Sequence, residues 1–270
     1  MQITKASGEI EEFSRAKLEG SLRRSGATAS EVKAVSDVVE KKMRPKMETK
    51  RLYQLAYGEL ERIRPKVAAA YSLKQAIMEL GPEGFLFEQY VGAILKEYGY
   101  SIKRGRMVRG KCVSHEIDLA AEKGSKAFII ELKYHNKRGM RSDVKVAMYL
   151  YARFLDIHAG HAAESDHKPW LMTNTKFTRS AIAYAECMGV KMTGWRYPKV
   201  ESLEQLIEKK GLYPVTVLPS VNRLIRDSLS DKGVFFARDL SVLSFKEVEK
   251  RFGMKPRFAK NIVSEAKTLA

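Results

Sequence analysis

Two short apolar runs joined by a polar turn form the most regular pattern in the chain. Residues 115–119 and 128–133 are rich in Ile, Leu and Phe and have the length of β-strands. Residues 122–125 lie between them, and their glycine and serine favour a turn. The pattern predicts a β-hairpin in which Glu131 and Lys133 share the face opposite to the apolar residues of the second strand.

Helices and strands alternate in the segment around this hairpin. Apolar residues recur at helical spacing in three stretches, which predicts three helices. Three short runs bounded by turn residues predict three strands in addition to the two of the hairpin. The order helix, three strands, helix, strand, helix, strand predicts an α/β sheet domain over residues 84–198. The predicted helices are residues 85–98, 143–158 and 178–188, and the further strands are residues 101–113, 169–173 and 190–195.

Helical patterns dominate both ends of the chain. Residues 1–80 begin with a short hairpin and continue with four helices that end before Gly81, a common helix stop. Ser14 and Thr49 have side chains that are preferred at helix N-caps. Residues 200–270 contain only helical patterns. We therefore expect three domains along the sequence: a mostly helical domain, the α/β sheet domain, and a second helical domain.

Positive charge distinguishes the chain from an average globular protein. It has 270 residues, with 49 Lys and Arg against 32 Asp and Glu, a net charge of +17 and a pI near 9.7. The excess is spread along the sequence, so we expect a polyanionic partner, and nucleic acid before a membrane because no basic amphipathic anchor is present. No long apolar segment and no signal-peptide pattern occur, which predicts a cytoplasmic protein without membrane contact.

Asp118, Glu131 and Lys133 are the candidate catalytic residues. The predicted hairpin brings two carboxylates and an ammonium group to one end of the sheet, among apolar residues where an ionic group is costly. Carboxylate oxygens are the ligands that Mg²⁺ prefers, and an ammonium group offsets negative charge that develops at a phosphate. The pattern is typical of metal-dependent phosphodiester hydrolysis. Solvated cross-strand charges are the alternative for the same residues.

The order of motifs over residues 84–198 resembles the restriction-endonuclease-like PD-(D/E)XK nucleases, in particular their Mrr-like branch. The matching motifs are Phe87-Glu88, His115-Glu116-Ile117-Asp118, Glu131-Leu132-Lys133 and Thr173-Asn174-Thr175-Lys176-Phe177. The resemblance implies a central mixed sheet of the restriction-endonuclease type. It also implies that Glu88, Asp118 and Glu131 bind Mg²⁺ or Mn²⁺, and that Lys133 assists the attacking water.

Residues 1–80 resemble the ATP-cone, a nucleotide-binding module of ribonucleotide reductases and related regulators. The likeness rests on Ile3-Thr4-Lys5, Gly8, Glu11, Phe13, Lys17-Leu18 and Ala70-Tyr71. It implies that Lys5 and Lys17 contact the phosphates of ATP or dATP. Glu11 would then lie near the nucleotide, and Ile3 would pack on the base.

Residues 200–270 resemble the helix-hairpin-helix class of DNA-binding domains. The shared feature is a turn at Gly253 between two helices, followed by the basic residues Lys255, Arg257 and Lys260. In that class, backbone N–H groups at the turn contact a DNA phosphate without reading the sequence. A domain used only for oligomerisation is the alternative, and a homo-oligomer is compatible with either role.

The motifs together predict a Mg²⁺-dependent endonuclease that acts on DNA and responds to ATP or dATP. The basic strand at residues 101–113 agrees with a DNA substrate. One alternative is a nucleotide-sensing DNA-binding regulator with a catalytically silent nuclease fold. Another is a nuclease acting on RNA, although the sequence has no RNA-recognition motif. Ala6 stands where ATP-cones usually carry a second basic residue, so a cone that keeps its fold without binding nucleotide is a further alternative.

Overall fold

A small three-stranded sheet and four helices form the N-terminal part of the chain. The structure, a computed structural model, describes residues 1–5, 7–82, 84–137, 139–160 and 167–269; Ala6 therefore lies outside the described residues. The N-terminal elements are β1 (Gln2–Thr4), β2 (Ile10–Glu12), α1 (Arg15–Arg24), α2 (Ala29–Lys42), β3 (Met47–Glu48), α3 (Thr49–Ile63) and α4 (Pro65–Met78). The hairpin of β1 and β2 is confirmed, and β3, too short to leave a sequence pattern, pairs in parallel with β1.

A five-stranded sheet occupies the middle of the chain. Its segment contains α5 (Phe85–Glu97), β4 (Ser101–Arg109), β5 (Ser114–Lys123), β6 (Lys126–Lys133), β7 (Arg141–Ser142), α6 (Val144–Gly160), β8 (His167–Thr173), β9 (Lys176–Phe177), α7 (Arg179–Met188) and β10 (Lys191–Thr193). The strand order is β10-β8-β6-β5-β4, in which β4, β5 and β6 are antiparallel and β6, β8 and β10 are parallel. The prediction of an α/β fold with a mixed sheet is confirmed. The short strands β7 and β9 form a separate parallel pair.

Short helices follow the sheet. They are α8 (Leu203–Lys209), a 3-10 turn (Val215–Val217), α9 (Arg223–Asp231), α10 (Ala237–Ser241), α11 (Phe245–Phe252) and α12 (Pro256–Leu269). Gly253 ends α11 with φ +65°, so the predicted glycine turn between the last two helices is present. Lys255, Arg257 and Lys260 are exposed after this turn. Within the described ranges, no helix is both long and apolar enough to cross a membrane.

Side-chain caps explain where several helices begin. Ser14 caps α1, as predicted, by accepting a hydrogen bond from the backbone N–H of the third helical residue. Thr28, Ser202 and Ser244 form capping boxes at α2, α8 and α11, each with a Glu or Gln at the third helical position. Thr49 was predicted as a cap but is the first residue of α3, because the chain before it is extended as β3.

Contacts group the chain into two units that cut across the predicted domain boundary at residue 200. One unit contains residues 1–73, 217–220 and 240–270, and the other contains residues 74–216 and 221–239. In the unit that contains the sheet, hydrogen bonds bind the segment after the sheet to α5. Tyr98 donates to the carbonyl oxygen of Leu206 at 2.9 Å, and buried Tyr90 donates to that of Leu212 at 2.7 Å. These bonds join residues more than a hundred positions apart, which sequence patterning does not reveal.

A distortion of the sheet lies beside Asp118. The ladder between β4 and β5 pairs Arg104 with Leu119 and Arg106 with Ile117. Gly105, between those pairs and opposite Asp118, has φ +55°, a left-handed conformation that costs a non-glycine residue about 1–2 kcal/mol. The local backbone therefore departs from regular pleating at this position.

The two neighbours of Asp118 consequently pack against different helices. Ile117 belongs to a buried cluster with Ile157 of α6. Leu119 lies 3.7 Å from the position that a Cβ atom on Gly92 of α5 would take. In a regular strand, residues two apart share one face, so Ile117 and Leu119 would both pack against the same helix. Here they pack against different helices. This change of face allows a carboxylate to lie between two core residues.

Substitutions at Gly105 should rank by their tolerance of positive φ. No heavy atom lies within 4 Å of a Cβ placed there, so backbone conformation rather than crowding decides the outcome. We expect Gly105→Asn to cost a few tenths of a kcal/mol, Gly105→Ala about 1 kcal/mol and Gly105→Val about 2 kcal/mol. Urea unfolding followed by the fluorescence of Trp170 and Trp195 measures this series, and equal losses for Asn and Val would contradict it.

Candidate functional site

Three of the predicted site residues form a carboxylate cluster, which we define as Glu88, Asp118 and Glu131. Glu88 lies in the first turn of α5, and the ladder of β5 and β6 ends at the pair of Leu119 and Ile130, whose neighbours in sequence are Asp118 and Glu131. Besides burial, the negative charge of Asp118 raises the pKa of both Glu88 and Glu131, so Asp118 lies close to each of them. The fold thus brings together residues that are up to 43 positions apart in sequence, between Glu88 and Glu131.

Burial is the main reason why these carboxylates are perturbed. It raises the pKa of Glu88, Asp118 and Glu131 because the charged form loses hydration. Only part of this effect is offset at Asp118, whose Oδ2 accepts a hydrogen bond from the backbone N–H of Leu132 at 2.7 Å. Burial and like charges thus disfavour the ionised form of all three carboxyl groups. A cation is attracted to such a place because its positive charge offsets both effects.

Arg153 of α6 supplies a cation at this place. Its Nη1 donates to Oε2 of Glu131 at 2.6 Å and to the carbonyl oxygen of Glu116 at 3.0 Å. Its charge acts on Asp118 as well and lowers the pKa of both carboxyl groups against the effect of burial. The sequence pattern does not single out Arg153, because it lies among apolar residues of the helix predicted over residues 143–158. An arginine within an apolar helix was the available signal.

Glu116 is a second residue that the sequence did not single out. Its side chain is exposed, but its negative charge raises the pKa of Glu88 and Asp118. It is therefore close enough to add a fourth carboxylate to the surroundings of the cluster. Lys133 has the opposite effect, because its positive charge lowers the pKa of Asp118 and Glu131.

The carboxylate cluster contains the oxygen donors that suit a hard divalent cation, but its side chains point elsewhere. Among the described residues, no three Asp, Glu, His or Cys side chains are arranged to hold a metal ion. Glu131 is turned to Arg153, and Asp118 is turned to the N–H of Leu132. Carboxylates without sulfur or imidazole ligands nevertheless match the preference of Mg²⁺ and Mn²⁺.

A buried polar network fixes the chain after Lys133. The hydroxyl of Thr173 donates to the carbonyl oxygen of Lys133 at 2.6 Å. Asn174, only 1% exposed, accepts from the backbone N–H of His135 at 2.9 Å and donates to its carbonyl oxygen at 2.8 Å. These residues belong to the motif 173–177 that the sequence linked to the nuclease resemblance. Here they hold the end of β6, and the Lys133 side chain projects into solvent from it.

A cavity of about 280 Å³ adjoins this strand end. Residues 132–137 line it, together with Pro82, Gly84 and Met140. The Cβ position of Gly84 is 3.5 Å from Oε1 of Glu88, so the cavity borders the carboxylate cluster. It offers a concave space beside both the carboxylates and Lys133.

His115, which precedes the β5 carboxylates, is held by a different carboxylate. Its Nε2 is 2.8 Å from Oδ2 of Asp156 on α6. Asp156 also accepts from the backbone N–H groups of Cys112 at 2.8 Å and Val113 at 3.2 Å. Hydrogen bonding to His115 is the largest cause that holds the pKa of Asp156 well below its usual range. This arrangement closes the loop between β4 and β5.

The edge strand β4 presents a basic surface beside the carboxylate cluster, which we define as Lys103, Arg104, Arg106 and Arg109. All four side chains are exposed, and β4 has only one neighbour in the sheet. The charge of Arg104 lowers the pKa of Glu88 against the effect of burial, so this member of the basic surface lies near the cluster. Nζ of Lys103 is 3.6 Å from Oε1 of Glu122, and this ion pair is weak because both side chains are exposed.

The predicted nucleotide-binding residues lie at β1, β2 and α1. Nζ of Lys5 is 2.9 Å from Oε2 of Glu11 and 3.1 Å from Glu9, and Nζ of Lys17 is 3.4 Å from Oε2 of Glu11. The hydrogen bond with Lys5 is the main cause that lowers the pKa of Glu11. Ile3, by contrast, is only 5% exposed and belongs to the apolar core of this unit, so it has little surface to offer a base.

Comparisons with known proteins find relatives of this chain. Residues 213–270 match the family model described as AF1548-like, C-terminal. A protein of Archaeoglobus fulgidus described as uncharacterized is 40% identical over 174 residues, which cover 64% of this chain and 96% of that protein. The crystal structure of AF1548, described as a protein of unknown function, is 37% identical with a TM-score of 0.60. That match covers 68% of this chain and 97% of the other.

Replacing Glu88 with its neutral isostere should stabilise the fold at pH 7. Because the folded-state pKa of Glu88 is raised, its proton is bound more tightly in the folded state, and ionised Glu88 costs stability above that pKa. We expect Glu88→Gln to raise Tm by about 2 °C at pH 7. The gain should shrink as the pH falls through the raised pKa, because wild-type Glu88 is then neutral too.

Glu122→Gln is the matched control for this prediction. Glu122 lies on β5 outside the carboxylate cluster, and its side chain is 48% exposed. We expect its replacement to change Tm by less than about 1 °C. Thermal unfolding followed by circular dichroism at several pH values makes the comparison, and a gain from Glu88→Gln that does not depend on pH would refute the electrostatic cause.

Proposed function

The chain belongs to the AF1548-like family, and we propose that it is a metal-dependent endonuclease that hydrolyses phosphodiester bonds in DNA. The observation that carries the proposal is the carboxylate cluster, with Lys133 at the end of the adjoining strand. Three neighbouring carboxylates with an ammonium group at the adjoining strand end are the groups that metal-assisted phosphate chemistry uses. The two relatives are described as uncharacterized and of unknown function, so the proposal stands on the site.

A restriction-endonuclease-like fold is part of the proposal. The sheet has three antiparallel strands continued by two parallel ones, with α5 before it and α6 between β6 and β8. This order agrees with the resemblance of the motifs in residues 84–198. A fold by itself does not imply an activity, and so the weight remains on the side chains.

Each side chain of the site has a role that its chemistry supports. Glu88, Asp118 and Glu131 would hold Mg²⁺ or Mn²⁺ through carboxylate oxygens, and the bound ion would supply Lewis acidity and offset negative charge at the phosphate. Lys133 is exposed beside the cavity, where its ammonium group can orient water and stabilise an oxyanion. Thr173 and Asn174 keep the end of β6 in place for this purpose.

DNA is the polyanion that we propose as substrate. The basic surface on β4 lies beside the carboxylate cluster, and the net charge of +17 favours a polyanion over the whole protein. Exposed arginines on a strand contact phosphates and position a duplex without reading its sequence. The exposed Lys255, Arg257 and Lys260 after the Gly253 turn offer a second place for such contacts.

We also propose ATP or dATP as an effector of the ATP-cone-like segment. Lys5 and Lys17 lie close enough to share the Glu11 carboxylate, so two ammonium groups are available at one place for a phosphate. A nucleotide would have to compete with Glu11 for both of them. The buried position of Ile3 argues against its role in packing on the base.

Plasmid cleavage tests the nuclease proposal. In the presence of Mg²⁺ we expect wild-type protein to nick or linearise plasmid DNA. Asp118→Asn and Glu131→Gln should each lower the rate by about a hundredfold or more, since each removes a charged oxygen ligand with little change in shape. Glu122→Gln, on the same hairpin but outside the carboxylate cluster, should cleave like the wild type. Cleavage that both site variants retain would reject the assigned site.

A second candidate is a nucleotide-sensing DNA-binding regulator with a silent nuclease fold. The observation in its favour is that Glu131 is paired with Arg153, and that the described side chains form no ready metal site. Tight DNA binding without cleavage, together with no heat of Mn²⁺ binding, would favour this candidate.

Thermal-shift titration tests the nucleotide proposal. ATP or dATP should raise Tm of the wild type, because a ligand that binds only the folded state stabilises it. Lys5→Ala/Lys17→Ala should abolish the shift. Lys41→Ala/Lys42→Ala, which removes the same charge from the end of α2, should keep it. An undiminished shift in the first double variant would exclude this pocket.

A further inference from the structure

Arg153 occupies the position that a metal ion would need. Its guanidinium is the direct partner of Glu131, with Nη1 2.6 Å from Oε2. The two side chains are only 12% and 17% exposed, so water screens the pair poorly. A charge-assisted hydrogen bond in such surroundings is stronger than one at the surface.

The other contacts of Arg153 do not depend on Glu131. Nη1 also donates to the carbonyl oxygen of Glu116, and the guanidinium lies over the ring of Tyr149, with its Cζ 4.7 Å from the ring centre. The buried Nε has no hydrogen-bond partner among the described residues. Arg153 is therefore anchored at two points beside the site, and it can release Glu131 without leaving its place on α6.

A divalent cation and Arg153 compete for the same carboxylate, Glu131. Two cations held at one carboxylate repel each other strongly in a poorly screened site. With Glu131 paired, a cation would have only the carboxylates of Asp118 and Glu88 and would take its remaining ligands from water or substrate, so release of Glu131 would add a third charged ligand.

We propose that Arg153 is the resident counter-ion of the carboxylate cluster and that a divalent cation binds by displacing it from Glu131. The inference rests on the proposed function, since it assigns a regulator of metal affinity to the same site. Arg153 is thus a positioning residue, which acts through Glu131 and offsets part of the negative charge of the unloaded cluster. The strength of its bond to Glu131 sets the metal concentration at which the site fills.

Calorimetric titration of the full chain with Mn²⁺ alone tests this role without relying on cleavage. Arg153→Met keeps the length and packing of the side chain and removes the competing cation. We expect it to lower Kd for Mn²⁺ about tenfold, the factor that corresponds to about 1.4 kcal/mol. Arg153→Lys retains the charge but loses the planar fork, and we expect a smaller tightening of about threefold.

Arg104→Met is the matched control. It removes the same charge at a residue that acts on Glu88 through its field, whereas Arg153 makes a direct contact. We expect its effect on Kd to stay below about twofold, because exposed charges are screened. An equal tightening in Arg104→Met and Arg153→Met would show a general field effect and overturn the displacement model.

A stability readout accompanies the titration. Arg153→Met leaves Glu131 without its partner, so its Tm should fall, and saturating Mn²⁺ should restore it by more than it raises the wild type. Unchanged or weaker Mn²⁺ binding in Arg153→Met would overturn the inference while leaving the metal site in place. If Arg153→Met does not fold, Arg153→Lys provides the test: an about threefold lower Kd for Mn²⁺ supports the inference, and an unchanged or higher Kd overturns it. Absence of Mn²⁺ binding in wild type and both Arg153 variants, or retention of it in Asp118→Asn, would reject both the inference and the proposed metal site.

Discussion

Repulsion among carboxylates that are partly withdrawn from water is the interaction on which the site depends. Glu88, Asp118 and Glu131 come from three different elements, and burial disfavours the ionised form of each. The charge of Asp118 adds to this at both glutamates, and the charge of Glu116 adds to it at Asp118. A fold selected for stability alone would replace such residues with apolar ones. Cations and a backbone dipole offset part of this repulsion. Arg153 donates a hydrogen bond to Glu131, the N–H of Leu132 donates one to Asp118, and the positive charge of Arg104 acts on Glu88.

The backbone around the cluster explains how the charges are brought there. Gly105 allows the edge strand to depart from regular pleating opposite Asp118, so that Ile117 and Leu119 can pack against different helices with the carboxylate between them. On the other side of the cluster, Asn174 satisfies the backbone of His135 and thereby fixes the segment after Lys133. Both devices use backbone conformation and hydrogen bonding to hold ionic groups where packing alone would not.

The N-terminal unit contains a second place where charge is balanced internally, with the signs reversed. There, one carboxylate, Glu11, lies between Lys5 and Lys17, whereas in the sheet one guanidinium, Arg153, pairs with a member of a carboxylate cluster. In both places the partner is on the chain itself, so a ligand of matching charge would have to displace that partner. Such exchange makes affinity depend on the strength of an internal ion pair, which is a common way to tune a charged site.

The sequence by itself determined the order of helices and strands, the mixed α/β class and the hairpin that carries Asp118, Glu131 and Lys133. The hydrophobic period, turn residues and helix caps are local properties of the sequence. The cap at Ser14 and the turn at Gly253 could therefore be predicted correctly from neighbouring residues. Short strands and caps that depend on tertiary pairing, such as β3 before Thr49, were missed for the same reason. The assignment of the C-terminal helices to two contact units also needed the fold, because the hydrogen bonds of Tyr90 and Tyr98 span long separations in sequence. Only the tertiary structure decided that Ile3 is core, that Glu116 adds its charge to the cluster and that Arg153 pairs with Glu131. Burial and electrostatic coupling are properties of groups that meet in space, and no periodicity along the chain encodes them.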